Sequence, residues 1–453
     1  RSFTVSLPQS AGLAAEGTPS PAVAPAPTSR RNRYLVPLAF SAGFVLGAGW
    51  HHLISSPLGK VSNASGNAPA TPLPASPMPA GKSVAIDRSI ALASEATATP
   101  PTPAPSNSPV PSNSLESAEV VADLAAAKPT QTVLTLKAVG DIILGTNFPG
   151  DRLPADAQSL FENVKPFFEG ADILFGNFES TLTDYPYTAK DTSRGQTFAF
   201  RTPPSYASVL QQVGFDVLSV ANNHSFDFGD QGFADTIANI QNAGMQAVGR
   251  KGDIIYQKVN GITVAFIGFS YLPDHNTMQD LAAAKALVDE ANRNANIVVI
   301  SVHAGAEGTD AVHTKNETEY FFGEDRGNLV EFAHAMIDQG ADLILGHGPH
   351  VPRAMELYKS RLIAYSLGNF VGYRTLSTEG TLSYSLILQA QLDAQGGFIE
   401  GKVIPVRLDA QGVPYLDDYF QSVALVRNLI ESDFPVTPLL IGNDGKIIKN
   451  EAP

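Results

Sequence analysis

Five apolar runs of strand type each end in a short polar signature, and this repeated grammar constrains the fold more than any other feature of the chain. They are Leu134–Asp141 (LTLKAVGD), Asp172–Glu179 (DILFGNFE), Asp216–His224 (DVLSVANNH), Ile297–Glu307 (IVVISVHAGAE) and Asp342–His350 (DLILGHGPH). Apolar runs bounded by turn residues read as buried strands. In an open α/β sheet, ligands bind beyond the carboxyl ends of the strands, so such signatures converge in space although they are far apart in sequence.

Helical periodicity fills the gaps between these runs. Helices are expected at Ala157–Glu169, Pro204–Val213, Gly232–Ala243, Thr277–Asn294 and Glu319–Gln339, with a hairpin of Ile254–Val259 and Ile262–Ser270 around Asn260-Gly261. From Met355 the pattern is strand and turn, with hairpins over Met355–Phe370 and Thr381–Leu408. Strands alternating with helices predict a mainly parallel sheet, and the hairpins add antiparallel strands at one end: an α/β sandwich.

Composition limits the folded unit to residues 131–453. Residues 55–130 are rich in Pro, Ala, Ser and Thr and bury too little apolar surface to offset chain entropy, so they read as a disordered, extended spacer. Ahead of it, Arg30, Arg31 and Arg33 precede the apolar run Tyr34–Trp50. Cationic flanks stay cytoplasmic, so 1–33 reads as a cytoplasmic tail and 34–54 as a single membrane span, with the folded domain outside the cytoplasm. A cleaved signal peptide with a small-residue site near Ala68–Ala70 is the alternative. The net charge of −14 and the lack of a basic stripe argue against nucleic acid as a partner.

The residue types at the strand ends point to a metal. Asp141, Glu179, Asn223, His303, His347 and His350 offer carboxylate, amide and imidazole donors, which suit manganese, zinc or iron; the chain has no cysteine, so thiolate sites are excluded. Singly, each has a plainer reading: Asp141 as a turn aspartate, Glu179 as a loop glutamate, His303 as a structural strand-end histidine. His347 and His350 flank Gly348-Pro349, a loop tight enough to aim both rings at one point. In Asn222-Asn223-His224, the amide can ligate while His224 donates a proton to a leaving oxygen, its pKa tuned by Asp227. A metal at such a site lowers the pKa of bound water and neutralises charge on a phosphoryl oxygen. His51, His52, His275, His313 and His334 are assigned to other roles.

Taken together, GD (Asp141), GNFE (Glu179), FDVLSVANNHSFDFG (215–229), VHAGAE (302–307), GHGPHV (346–351) and YSLGNF (365–370) resemble the CapA family of poly-γ-glutamate capsule-synthesis proteins, itself similar to calcineurin-like metallophosphoesterases. The resemblance spans about residues 132 to 410. It implies a four-layer sandwich, two mixed central sheets flanked by helices, with a metallophosphatase-like site. It also implies a place in synthesis or export of an anionic polymer, beside a polymer synthase or export complex, either as a metal-dependent phosphoester hydrolase or as a non-catalytic scaffold. Ile143 stands where the wider superfamily has the histidine of an Asp-x-His signature, and Glu179 where an aspartate is usual.

Overall fold

The computed structural model describes residues 133–194 and 197–450. The tail, span and spacer expected at 1–33, 34–54 and 55–130 lie outside the described residues. Among the described residues, no helix is long and apolar enough to cross a membrane.

Two mixed sheets carry the domain. In the first, Val133–Ile143, Ile173–Phe178, Val217–Ser219 and Gln246–Val248 run parallel in that order, and the antiparallel strands Tyr384–Asp393 and Phe398–Leu408 extend it beyond Val133–Ile143. In the second, Ile262–Ser270, Ile297–His303, Leu343–His347 and Arg361–Ala364 are parallel, with Ile255–Val259 and Met355–Tyr358 antiparallel at its edges. Asn260 and Gly261 both have positive φ, 51° and 81°, the conformation that a two-residue hairpin turn matching strand twist requires.

Strand alternation sorts the side chains. Leu134, Leu136 and Ala138 join Phe175 from the first sheet and Val264, Phe266, Val299 and Leu345 from the second in one buried cluster. The Phe175 and Phe266 rings stack there at 5.9 Å. Burying each such side chain contributes about 1.5–3 kcal/mol. The opposite face of the first sheet, through Val139, Ile142 and Leu218, packs on α1 (Ala207–Val213) and α2 (Gly229–Asn242). The opposite face of the second packs on α3 (Leu281–Asn294) and α4 (Leu329–Asp338). The layers therefore run helix, sheet, sheet, helix.

Two helix expectations and one strand-and-turn expectation need correction. Ala157–Glu169 is not one helix but two short 3₁₀ turns, Gln158–Phe161 and Lys165–Phe168, the second opening on Pro166, which has no N–H to continue an earlier helix. The helix expected from Glu319 starts ten residues later, at Leu329, where the Asn328 side chain accepts a hydrogen bond from Glu331 N. Phe322, Gly323 and Gly327 take left-handed conformations, and Tyr320–Phe321 and Glu324–Asp325 pair as a small hairpin. Finally, the tail carries α5 (Gln421–Asp433), whose Val423, Val426, Leu429 and Ile430 enter the inter-sheet cluster. Smaller shifts occur too: α3 starts at Leu281, four residues after Thr277, because Asp280 caps it by accepting from Ala283 N at 3.0 Å.

Candidate metal centre

Strand register assembles the site. In the first sheet Asp141 lies opposite Asn177 on one neighbour and Asn369 on the other; in the second, His303 lies opposite His347. Gly140 makes the pairing with Asn369 possible, because a β-carbon there would stand 1.8 Å from Gly368 O. That close approach lets Asp141 N donate to Gly368 O at 3.0 Å. Beyond His347, Gly348 at φ 110° and His350 at φ 61° turn the loop back over the strand end. His350 Nδ1 then sits 2.9 Å from Asn369 Oδ1 and 3.2 Å from Asp141 Oδ2.

Around this point the polar atoms outnumber their partners. Glu179 and His347 are fully buried, yet neither oxygen of the first nor either nitrogen of the second has a hydrogen bond. His303 Nε2 and Asn223 Oδ1 are also buried without one. Burying polar atoms unpaired is costly, and the orphaned atoms of Glu179, His303 and His347 gathered near Asp141 fit a cation. Distances agree: His347 Nδ1 is 3.6 Å from Asp141 Oδ1, and Glu179 Oε1 is 3.8 Å from both His303 Nε2 and His350 Nε2. Asp141, Glu179 and His350 each bring a ligand atom within 4.8 Å of the others. With Nδ1 of His350 turned to Asn369 and Asp141, Nε2 is the nitrogen left to ligate.

The charges there are strongly displaced. Burial alone would raise the Asp141 carboxyl, but the His347 and His350 imidazoles beside it hold it far below the usual carboxylate range. Burial, together with the nearby Asp141 charge, pushes Glu179 well up. Burial would lower His350, but Glu179, Asp141 and Glu307 raise it to about 10. Burial drives His303 well below its ordinary value.

A second cluster adjoins the first. Asp227 Oδ2 lies 2.8 Å from His224 Nδ1 and accepts from Phe200 N at 2.7 Å, while Lys190 Nζ reaches Asp227 Oδ1 at 2.6 Å. Lys190 also donates to Asn223 O at 2.9 Å. Burial lowers the His224 pKa despite its carboxylate neighbour. His224, Asn223 and Lys190 line a cavity of about 780 Å³ together with Glu307, Arg326 and Phe322.

Of the residues named from sequence, Asp141, Glu179, His303, His347 and His350 meet within hydrogen-bond or near-contact distances. His224 pairs with Asp227 beside them. Asn223 faces the cavity, and it is Asn222 that ties this turn to the rest: its Nδ2 donates to Asn177 Oδ1 at 3.2 Å, and Asn177 Nδ2 to Asp141 Oδ1 at 2.8 Å. Sequence reasoning missed Lys190, Asn369, Glu307 and Arg326 as members of the site. Glu307 and Asn369 stood inside quoted motifs, whereas Lys190 sits in a loop with no pattern to mark it. Ile143 is buried apolar core and offers no ligand. His275 bonds Ser270 Oγ, His313 pairs with Asp433 and His334 with Glu356.

Residues 135–374 match the family described as bacterial capsule synthesis protein PGA_cap. The chain is 31% identical over 318 residues to the PGA biosynthesis protein CapA of Bacillus subtilis (strain 168), covering 66% of this chain and 78% of the relative. It is 31% identical over 266 residues to the capsule biosynthesis protein CapA of Bacillus anthracis, covering 52% and 59%. Among solved structures, the 5'-nucleotidase precursor of Thermus thermophilus is similar at 14% identity over 66% of this chain and 59% of that one, with a TM-score of 0.36.

Proposed function

The chain belongs to the bacterial capsule synthesis protein family, and we propose that it acts in synthesis or export of poly-γ-glutamate or a related anionic polymer by hydrolysing a phosphoester with a divalent cation. In this reading it is a single-span membrane protein, its folded domain outside the cytoplasm, working beside a polymer synthase or export complex. The apolar run Tyr34–Trp50 behind an arginine cluster supports the span.

The observation that carries the chemistry is the set of buried, unpartnered ligand atoms on Glu179, His303 and His347 close to Asp141, with Asn223 Oδ1 also buried and unpartnered. Asp141, Glu179, Asn223, His303, His347 and His350 would hold the ion, and nitrogen with oxygen donors fits manganese, zinc or iron. When bound, such an ion withdraws charge from a phosphoryl oxygen. The chain's own residues do the rest. Asp227 accepts from His224 Nδ1 and, as a negative charge beside the ring, favours its protonated form against the effect of burial; in that form Nε2 gives a proton to the leaving oxygen and the ring is left neutral. Lys190 holds Asp227 and the Asn223 carbonyl in place.

One feature favours a second reading, a non-catalytic scaffold: Ile143 withholds the ligand that the two-metal superfamily signature supplies. Assay of model phosphoesters with manganese, zinc or iron separates the two. Turnover that falls about 10²–10⁴-fold in His224→Ala supports hydrolysis; turnover that is absent, or indifferent to His224, leaves the scaffold.

A further inference from the structure

We propose that Glu307 is a ligand of the metal centre, held ready by Arg326. This rests on the reading of Asp141, Glu179 and His350 as metal ligands and adds a residue to it. Glu307 Oε2 lies 3.8 Å from His350 Nε2, the same separation that Glu179 Oε1 keeps from that nitrogen. Two ligand atoms on one ion, at bonds of about 2.0–2.2 Å and tetrahedral angles, stand about 3.4 Å apart. Each carboxylate therefore stands within a few tenths of an ångström of the spacing at which it could share an ion with His350; Asp141, Glu179 and His350 already lie within 4.8 Å of one another, and the Glu307 side chain would swing in to join them. Glu179, fully buried and without a hydrogen bond on either oxygen, independently marks the point that the ion would occupy.

The backbone keeps Glu307 there. Its loop is fastened to the His347–His350 loop at both ends: Ala304 N donates to His347 O at 2.9 Å, and Gly308 N to Pro349 O at 3.0 Å. From below, the fully buried Arg353 forms a two-pronged pair with Glu319 at 2.7 and 2.8 Å, and donates to Ala306 O at 3.2 Å. Arg326 Nη1 binds Glu307 Oε1 at 2.8 Å, and its guanidinium lies over Tyr271 at 4.3 Å and Phe321 at 5.2 Å. One carboxylate oxygen is thus committed to Arg326 and the other is directed at His350. A charge-assisted bond of this kind orients a ligating carboxylate. Glu307 also lines the cavity, which puts it on the side of the ion that a substrate approaches.

The test is manganese and zinc affinity of the whole chain by calorimetric titration, in wild type, Glu307→Gln, Glu307→Asp and Asp141→Asn, with thermal melting in chelator to show that each variant folds. Ligation predicts that both Glu307 variants weaken binding about 10–100-fold, because Gln loses the charge and Asp loses the reach, with chelator melting temperatures unchanged. Wild-type affinity in Glu307→Asp with loss only in Glu307→Gln reduces the residue to a distant charge and overturns the proposal. Unchanged affinity in both, while Asp141→Asn weakens binding, overturns it and leaves the metal centre standing; a wild-type chain that binds neither metal overturns both.

Discussion

Asp227 Oδ2 lies 2.8 Å from His224 Nδ1, so this carboxylate decides which edge of the imidazole meets the cavity. Asp227→Asn removes the charge and frees the ring to present either nitrogen. The expected result is a fall in kcat of about 10²–10⁴-fold toward a phosphoester, with KM little changed. Steady-state kinetics on the purified chain check it, and an equal loss through KM alone would place His224 in binding instead.

Metal binding should release protons. His350 holds its proton to about pH 10 in the metal-free chain, and ligation needs that nitrogen free, so near pH 7 each ion displaces about one proton from it. Affinity then rises about tenfold per pH unit between pH 6 and 8 for that proton. Calorimetry in buffers of different ionisation heat counts it. The metal-free chain moves the opposite way: a folded pKa above the ordinary 6.5 stabilises fully below that value and loses its contribution as pH rises toward 10, so its melting temperature should fall above pH 7.

Arg353 is fully buried against Glu319, itself mostly covered, and it braces the loop carrying Glu307. Arg353→Met leaves the Glu319 carboxylate without its partner. A destabilisation of about 3–5 kcal/mol is expected in urea unfolding, together with weaker metal binding as the loop loosens.

Gly140→Ala drives a β-carbon into Gly368 O. The strand bearing Asn369 must move away, carrying off the partner of His350 Nδ1 and the carbonyl that Asp141 N binds. Overpacking of this kind costs about 1–3 kcal/mol, and metal affinity should fall with stability, as paired unfolding and titration measurements would show.

Much of this arrangement was legible in the chain because parallel strands bury both faces and end in the site. An apolar run closed by Asp141, His303 or His347 therefore announces the element and the place where it ends. Asn260-Gly261 likewise announced its hairpin, because few other pairs tolerate two positive φ angles. What was hidden depends on contacts distant in sequence. Nothing near Lys190 marks its bond to Asp227, and Asn369 matters only because the Gly140–Gly368 approach brings it to His350. The helix expected from Glu319 failed because apolar spacing says where a helix packs; the glycines at 323 and 327 and the Asn328 cap decide where it starts. α5 was hidden in a tail whose strands dominated the pattern.

The most direct measurement is elemental analysis of the purified whole chain, wild type beside Asn223→Ala/His347→Ala. Wild type should carry manganese, zinc or iron near one equivalent or more, and the double variant, folded by circular dichroism, should carry almost none. A wild-type chain free of all three after growth and dialysis with added metal, or a double variant that holds as much as wild type, would contradict the account.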